Sequence, residues 1–257
     1  MTAFTAKAGH LMAGSKTPSV ASSEIKQRVA DMDWMTVGRS LSECGNAVLS
    51  NVLKPDECQA LAALYPIDAL YRSRVVMSRH GFGRGEYKYF NYPLPAIIEN
   101  LRAMTYTYLA PIANEWNEMM HIDVRYPDKH MDFIQRCHNA GQTRSTPLIL
   151  KYGADDYNCL HQDLYGEHVF PIQIAILLSQ PGKDFSGGEF VMIEQSAAQS
   201  PRADVVPLEQ GDAVVFTVNN RPVRAKRGNR RATMRHGVSR VLTGQRYTIG
   251  IIFHDAR

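Results

Sequence analysis

Leu160-His161-Gln162-Asp163 is the stretch on which the reading of this chain turns. It follows Leu148-Ile149-Leu150-Lys151-Tyr152, an apolar run that reads as a strand. In extended chain, residues two apart face the same side, so His161 and Asp163 can address one metal ion. A third ligand must come from a neighbouring strand. His236, 73 residues after Asp163 in the predicted strand Ala232–Leu242, meets that need. Two imidazoles and one carboxylate on one face of an octahedron leave three positions open. That set suits Fe(II), which must also take a cosubstrate and dioxygen.

Working outward, strand signals cluster after Pro147. Val169–Leu178 is a nearly continuous apolar run, residues 187–193 alternate, and Ala213–Phe216 follows a Gly-Asp turn. Ala232–Leu242 and Arg246–Phe253 read as two strands joined by a Thr243-Gly244 turn. Short strands at close intervals with Gly, Pro and Asp turns predict a sandwich or barrel. The N-terminal half has helical periodicity instead. A helix is predicted from Ser22 or Ser23 as N-cap, with Ile25, Val29 and Met32 on one face. A second is predicted from Pro55, with Leu61, Leu64 and Tyr65 apolar, and a long third over 95–120. The predicted class is α+β in one unit: a tail over 1–22, a helical region over 23–145, and an all-β core over 146–257.

Arg246 comes ten residues after His236, on the next strand. An oxygenase using 2-oxoglutarate needs a fixed cation for the distal carboxylate of that diacid, and arginine offers a rigid bidentate fork. A strict two-residue turn would pair Val241 with Arg246 and turn Arg246 away from His236, leaving Arg240 on the right face. A bulge, with Gly244 left-handed, restores Arg246. An irregularity between Arg240 and Arg246 is therefore predicted.

The composition is that of a soluble globular chain: 257 residues, 44% hydrophobic and 21% charged. It excludes a collagen, a coiled coil or a wholly disordered chain. No uncharged apolar run reaches membrane-spanning length, and no secretory leader pattern opens the sequence. Cys44, Cys58, Cys137 and Cys159 lie apart with no C-x-x-C pair, which points to reduced, mostly buried thiols and a cytoplasmic setting. Cys159 reads as a shell residue beside the ligands. The net charge is +4, yet nine basic and no acidic residues fall between Asp212 and Asp255, leaving −5 elsewhere. One basic patch thus carries the charge, as a polyanion partner would require.

The ordered pieces resemble the 2-oxoglutarate- and Fe(II)-dependent dioxygenases with a double-stranded β-helix (jelly-roll) core. They are His161-x-Asp163, Gly187-Gly188-Glu189-Phe190, Pro207-x-x-x-Gly211-Asp212-Ala213, His236-Gly237-Val238 and Gly244-x-Arg246-Tyr247. Leu150-Lys151-Tyr152-Gly153-Ala154 is similar to the AlkB-like nucleic-acid dealkylases. Leu150 stands where those enzymes carry an Asn, and Ile252 where they carry a second Arg. His161-Gln162-Asp163-Leu164-Tyr165-Gly166 with Gly250-Ile251-Ile252-Phe253-His254-Asp255 resembles a bacterial family described as oxygenases acting on damaged DNA. The resemblance implies Fe(II) on His161, Asp163 and His236, and 2-oxoglutarate held by Arg246, Tyr152 and Thr248. It implies oxidation of an N-alkyl group in damaged DNA, with decarboxylation of 2-oxoglutarate to succinate and release of formaldehyde. A protein or small-molecule hydroxylase on the same core, or a nucleic-acid binder with a vestigial site, are the alternatives.

Two segments suit a nucleic-acid partner. Arg221–Arg235 holds seven basic residues in fifteen, and Arg221, Arg224, Lys226, Arg227, Arg230 and Arg231 are candidate phosphate contacts. Arg72–Tyr92 mixes arginines, glycines and aromatics, reads as a hairpin, and matches the position of a lid. Its Arg79 and Arg84 join the phosphate candidates. Oligomeric state is not legible.

Overall fold

The computed structural model describes residues 20–164, 166–196, 199–226 and 228–257. The N-terminal part runs α1 (Val20–Ala30), α2 (Trp34–Cys44), β1 (Asn46–Leu49), α3 (Pro55–Ala62), β2 (Tyr71–Val76), β3 (Gly83–Arg84), β4 (Glu86–Phe90), α4 (Ala96–Met119) and α5 (His130–Asn139). It continues with β5 (Leu148–Tyr152), β6 (Tyr157–His161), β7 (Ile172–Leu177), β8 (Phe185–Gly187), β9 (Phe190–Ser196) and β10 (Gln199–Val206). The last strands are β11 (Ala213–Thr217), β12 (Asn220–Arg224), β13 (Asn229–Val238), β14 (Val241–Gly244) and β15 (Arg246–Ile251).

Antiparallel pairing produces two sheets of a jelly roll in an α+β chain. The larger runs β1-β11-β7-β15-β5-β4-β2, and the smaller β10-β9-β13-β6-β3 with β12 on β13. Alternation along the larger sheet sorts its side chains. Ile172, Ile174 and Ile176 of β7 and Ile249 and Ile251 of β15 pack with Ile25, Leu41, Leu101 and Trp116 of the helices. The residues between them, Gln173 and Ala175 on β7 and Arg246, Thr248 and Gly250 on β15, line a cavity facing the smaller sheet. Burial on both faces explains why β7 reads as an apolar run broken only by Gln173.

Three expectations change. The first helix begins at Val20, so Ser22 and Ser23 lie inside it; residues 1–19 of the expected tail lie outside the described residues. The N-terminal region is not only helical, because β1, β2 and β4 are hydrogen-bonded into the larger sheet beside core strands. The strands either side of Thr243-Gly244 do not form a hairpin. β13 pairs β9 and β6, β15 pairs β5 and β7, and β14 pairs β8 as the chain crosses between sheets. The predicted irregularity is present in β14, where the register shifts between Val241 and Thr243 and Gly244 is left-handed at φ 79. No described helix is long and apolar enough to cross a membrane.

Candidate active site

β6 and β13 set His161 directly opposite His236. β6 is irregular here: His161 pairs His236 while Asn158 pairs Val238, so one strand carries an extra residue. The bulge presses the β6 backbone onto Gly237, where an added Cβ would meet the Asn158 carbonyl oxygen at 2.7 Å. A side chain next to His236 would push the two strands apart. Asp163 then turns in behind His161. Its Oδ1 lies 3.4 Å from His161 Nε2 and its Oδ2 lies 3.5 Å from His236 Nε2. One ligand atom from each of the three residues falls within 4.8 Å of the others.

The protonation of Asp163 and His236 suits a cation, and His161 would give up its proton on binding one. Burial alone would raise the Asp163 carboxyl, but hydrogen bonds from His161 and His236 outweigh it and hold it well below the usual carboxylate range. Burial, with the His161 charge beside it, lowers the His236 pKa and favours the neutral ring. Burial opposes the His161 charge too, yet Asp163 wins and raises that pKa. His161 Nδ1 lies 2.8 Å from the Cys159 carbonyl, which fixes a tautomer with Nε2 aimed at the centre. The rings of Phe216 and Phe190 lie 4.5 and 5.9 Å from His236 and shield it. A compact set of two Nε2 atoms and a carboxylate, ionised as a ligand needs to be, fits Fe(II).

Deeper in the same cavity, of about 270 Å³, lies Arg246. It is register partner to Tyr152. Its guanidinium is buried and donates from Nη1 to Thr248 Oγ1 at 2.6 Å, while its Nε has no partner. Burial pushes its pKa down to about 10, with no carboxylate paired to it among the described residues. The Tyr152 hydroxyl is also buried, facing Asn158 without a hydrogen bond of ordinary geometry. Gly188, left-handed at φ 67, gives the arginine its room: a Cβ there would meet Arg246 Cδ at 3.0 Å. The cavity end thus holds an enclosed cation, a hydroxyl and Thr248, which fits the distal carboxylate of a diacid.

The structure brings together His161, Asp163, His236, Arg246, Tyr152 and Thr248 around one cavity. It scatters the basic candidates. Arg221 is not open to a phosphate: it is buried, donates to the Ser42 and Glu43 carbonyls, and pairs Glu194 at 2.5 Å. Arg231 is exposed but donates to the Met120 carbonyl at 2.9 Å, and Arg230 is half-buried with a buried Nε. Arg224, Lys226, Arg79 and Arg84 are exposed, and Arg227 lies outside the described residues. The Cys159 side chain is exposed and does not line the cavity; its carbonyl is what touches the site. Cys44 is exposed too, leaving only Cys58 and Cys137 buried.

The 72–92 segment forms the β2–β4 hairpin, with Gly81, Gly83 and Gly85 all at positive φ. It contributes Phe82, Tyr87 and Tyr89 to the cavity wall. Sequence reading missed Gln162 and Gln173, which also line it. Gln162 donates to the Asn219 side chain and to the Met234 carbonyl, both at 2.8 Å, and so ties the ligand loop to β13.

Residues 85–256 match the model of the family described as "Oxygenase, catalysing oxidative methylation of damaged DNA". The chain belongs to this oxygenase family. An uncharacterized protein of Mycobacterium tuberculosis, Rv2227, is 48% identical over 167 residues, 65% of this chain and 72% of its own length. Among solved structures, a Pseudomonas putida prolyl-4-hydroxylase aligns with TM-score 0.51 at 14% identity, over 87% of this chain and 99% of its own. A 2OG-Fe(II) oxygenase family oxidoreductase from Burkholderia pseudomallei aligns with TM-score 0.50 at 15% identity, over 88% and 93%. At such identities these two show the shared fold. Family, fold and ligand set together place the oxygenase in the Fe(II)- and 2-oxoglutarate-dependent class.

Proposed function

We propose that this oxygenase removes N-linked methyl or alkyl groups from damaged bases in DNA. The observation that carries the chemistry is one cavity holding His161, Asp163 and His236 at its centre and an uncompensated Arg246 at its end. The DNA substrate is supported by the family to which the chain belongs.

His161, Asp163 and His236 would hold Fe(II), and Arg246, with Thr248 and Tyr152, would hold the distal carboxylate of 2-oxoglutarate. When bound there, the pair supplies dioxygen activation, with the cosubstrate leaving as succinate and carbon dioxide. The chain's own residues orient and enclose. Cys159 fixes the His161 ring, Gln162 holds the ligand loop, and Phe190 and Phe216 keep water from His236. Arg246 aligns the diacid along the cavity, so the opposite end stays open to substrate. Putting one oxygen atom into a C–H bond of an N-methyl group gives an N-hydroxymethyl group. That group breaks at the N–C bond and releases formaldehyde and the free base. The hairpin residues Phe82, Tyr87 and Tyr89 offer stacking faces for a base turned out of its helix. Arg224, Lys226, Arg79 and Arg84 are exposed cations for the phosphates.

The test is a turnover assay over oligonucleotides bearing single N-methylated bases, prolyl peptides and free metabolites, reading succinate and formaldehyde together. Stoichiometric formaldehyde from an oligonucleotide supports the proposal. Succinate stimulated by a peptide alone, with no formaldehyde from any oligonucleotide, overturns it.

A further inference from the structure

Among the polar groups lining the cavity, Gln173 has no task in holding metal or cosubstrate. It sits on β7, is 4% exposed, and its Nε2 is buried with no hydrogen-bond partner. An unpaired buried amide is costly, and this one lines the cavity, where a bound molecule can pair it.

Its place in the sheet says what kind of partner. On β7, Leu177 is register partner to Thr248, and Arg246 lies two residues beyond that level. Gln173 is four residues from Leu177 in the other direction, so strand rise separates it from the Arg246 level by roughly 20 Å. Gln173 is itself register partner to Phe216, whose ring is 4.5 Å from His236. Gln173 therefore stands at the metal's level and beyond, on the side away from the cosubstrate cation. That is the side left for substrate. The wall there is aromatic, with Phe216, Tyr89 and the hairpin's Phe82 lining the same cavity. The Arg72 guanidinium lies 4.3 Å from the centre of the Tyr89 ring and backs it.

We infer that Gln173 is a specificity-determining residue that reads the edge of the substrate base. A carboxamide offers one donor and one acceptor side by side, which matches an edge carrying an adjacent acceptor and donor. Aromatic walls take a planar ring on its faces, and a neutral amide suits a neutral edge. A nucleobase satisfies both demands at once. This inference rests on the nucleic-acid reading above.

The test compares wild type with Gln173→Met, which keeps side-chain length without hydrogen bonding, and with Gln173→Glu, which keeps the acceptor and loses the donor. The substrates are oligonucleotides carrying one N-methylated adenine, cytosine, guanine or thymine each. Formaldehyde release gives kcat/KM, and visible absorption of the anaerobic Fe(II)–2-oxoglutarate complex gives cosubstrate affinity. The expected result is a fall of about ten- to hundredfold in kcat/KM on the preferred base for Gln173→Met. Gln173→Glu should change the rank order among bases, and both should bind 2-oxoglutarate as wild type does. A rank order unmoved by Gln173→Glu, with kcat/KM held in Gln173→Met, overturns the inference and leaves the function standing. Loss of cosubstrate affinity in step with kcat/KM also overturns it, because the residue would then serve the other end or the fold. Absence of formaldehyde from every oligonucleotide with wild type overturns the function and the inference together.

Discussion

Arg102 and Arg246 are each 2% exposed, yet they live in opposite circumstances. Arg102, on α4, donates to the Ile252 and His254 carbonyls at 2.7 and 3.1 Å, to the Tyr92 hydroxyl at 2.9 Å and to Thr146 at 3.3 Å. It also pairs the buried Asp255 carboxylate at 2.8 Å. That carboxylate accepts from Tyr92 and lies 2.8 Å from His138 Nε2, and Gln142 donates to the Asp255 carbonyl. The Gln142 Oε1 in turn accepts from the backbone N–H groups of Glu167 and His168, just beyond Asp163. The Arg102 region is a closed polar lock that fastens the C-terminal segment and the ligand loop to the helices. The Arg246 region is the same type of charge, equally buried, with donors left over. A buried cation satisfied by its own chain is structure; one left short by its own chain is a receptor.

This contrast can be broken by experiment, beginning with the largest effect. Asp163→Ala should reduce Fe(II)-dependent succinate formation to background, since it removes the only carboxylate of a three-ligand set; turnover near wild type would remove the metal assignment. Arg102→Met should cost about 3–5 kcal/mol of stability in urea unfolding, because it strands the Asp255 charge. Arg246→Met should do the reverse for stability, neutral or stabilising, since no charge is stranded. It should raise the 2-oxoglutarate requirement by roughly ten- to 150-fold, for charged hydrogen bonds worth about 1.5–3 kcal/mol. If both variants destabilise equally, the two arginines are alike and the contrast fails.

Acid should act on the lock. Burial lowers the pKa of His254 to about 4 and of His130 to about 3, with the Arg102 charge adding to it. Both folded values lie below the unfolded one, so the unfolded chain takes up protons first. Stability is therefore full above about pH 6.5 and falls as pH drops toward 4, by up to about 3 kcal/mol for His254. Urea midpoints measured from pH 7.5 to 4.5 check the sign, and His254→Gln should flatten the slope. The smallest effect concerns the exposed cations. Replacing Arg224 and Lys226 by Gln should lower the slope of log affinity against log salt by about 0.7–0.9 per lost phosphate contact. An unchanged slope would move the nucleic-acid face to Arg79 and Arg84.

What the sequence disclosed follows from distance along the chain. His161, Asp163, His236 and Arg246 were legible because alternation and spacing on two or three strands decide which way they point. The hairpin over 72–92 was legible because its glycines announce a turn. Burial of charge was not. Arg221 and Arg224 read alike in a basic run, but only Arg221 meets Glu194 and two helix-end carbonyls, and those partners lie 27 to 179 residues away. The strand β6 was hidden because its bulge breaks alternation, and β1 because a four-residue edge strand carries too little pattern. The Thr243-Gly244 turn misled since a tight turn looks the same whether its strands pair or part to different sheets. Gln173 was overlooked within an apolar run, where one polar residue at an inward position was the signal available.

Because β13 and β15 diverge, the two ends of the proposed cosubstrate site belong to different sheets: His161 and His236 to the smaller, Arg246 to the larger. A five-carbon diacid held by the histidine and aspartate end and by the arginine at the other would span the gap and tie the two sheets together. The empty protein would then breathe by parting its sheets at this end, and the loaded one would be braced. Amide exchange at β15 and β6 should slow together on loading, although the two strands are paired in different sheets.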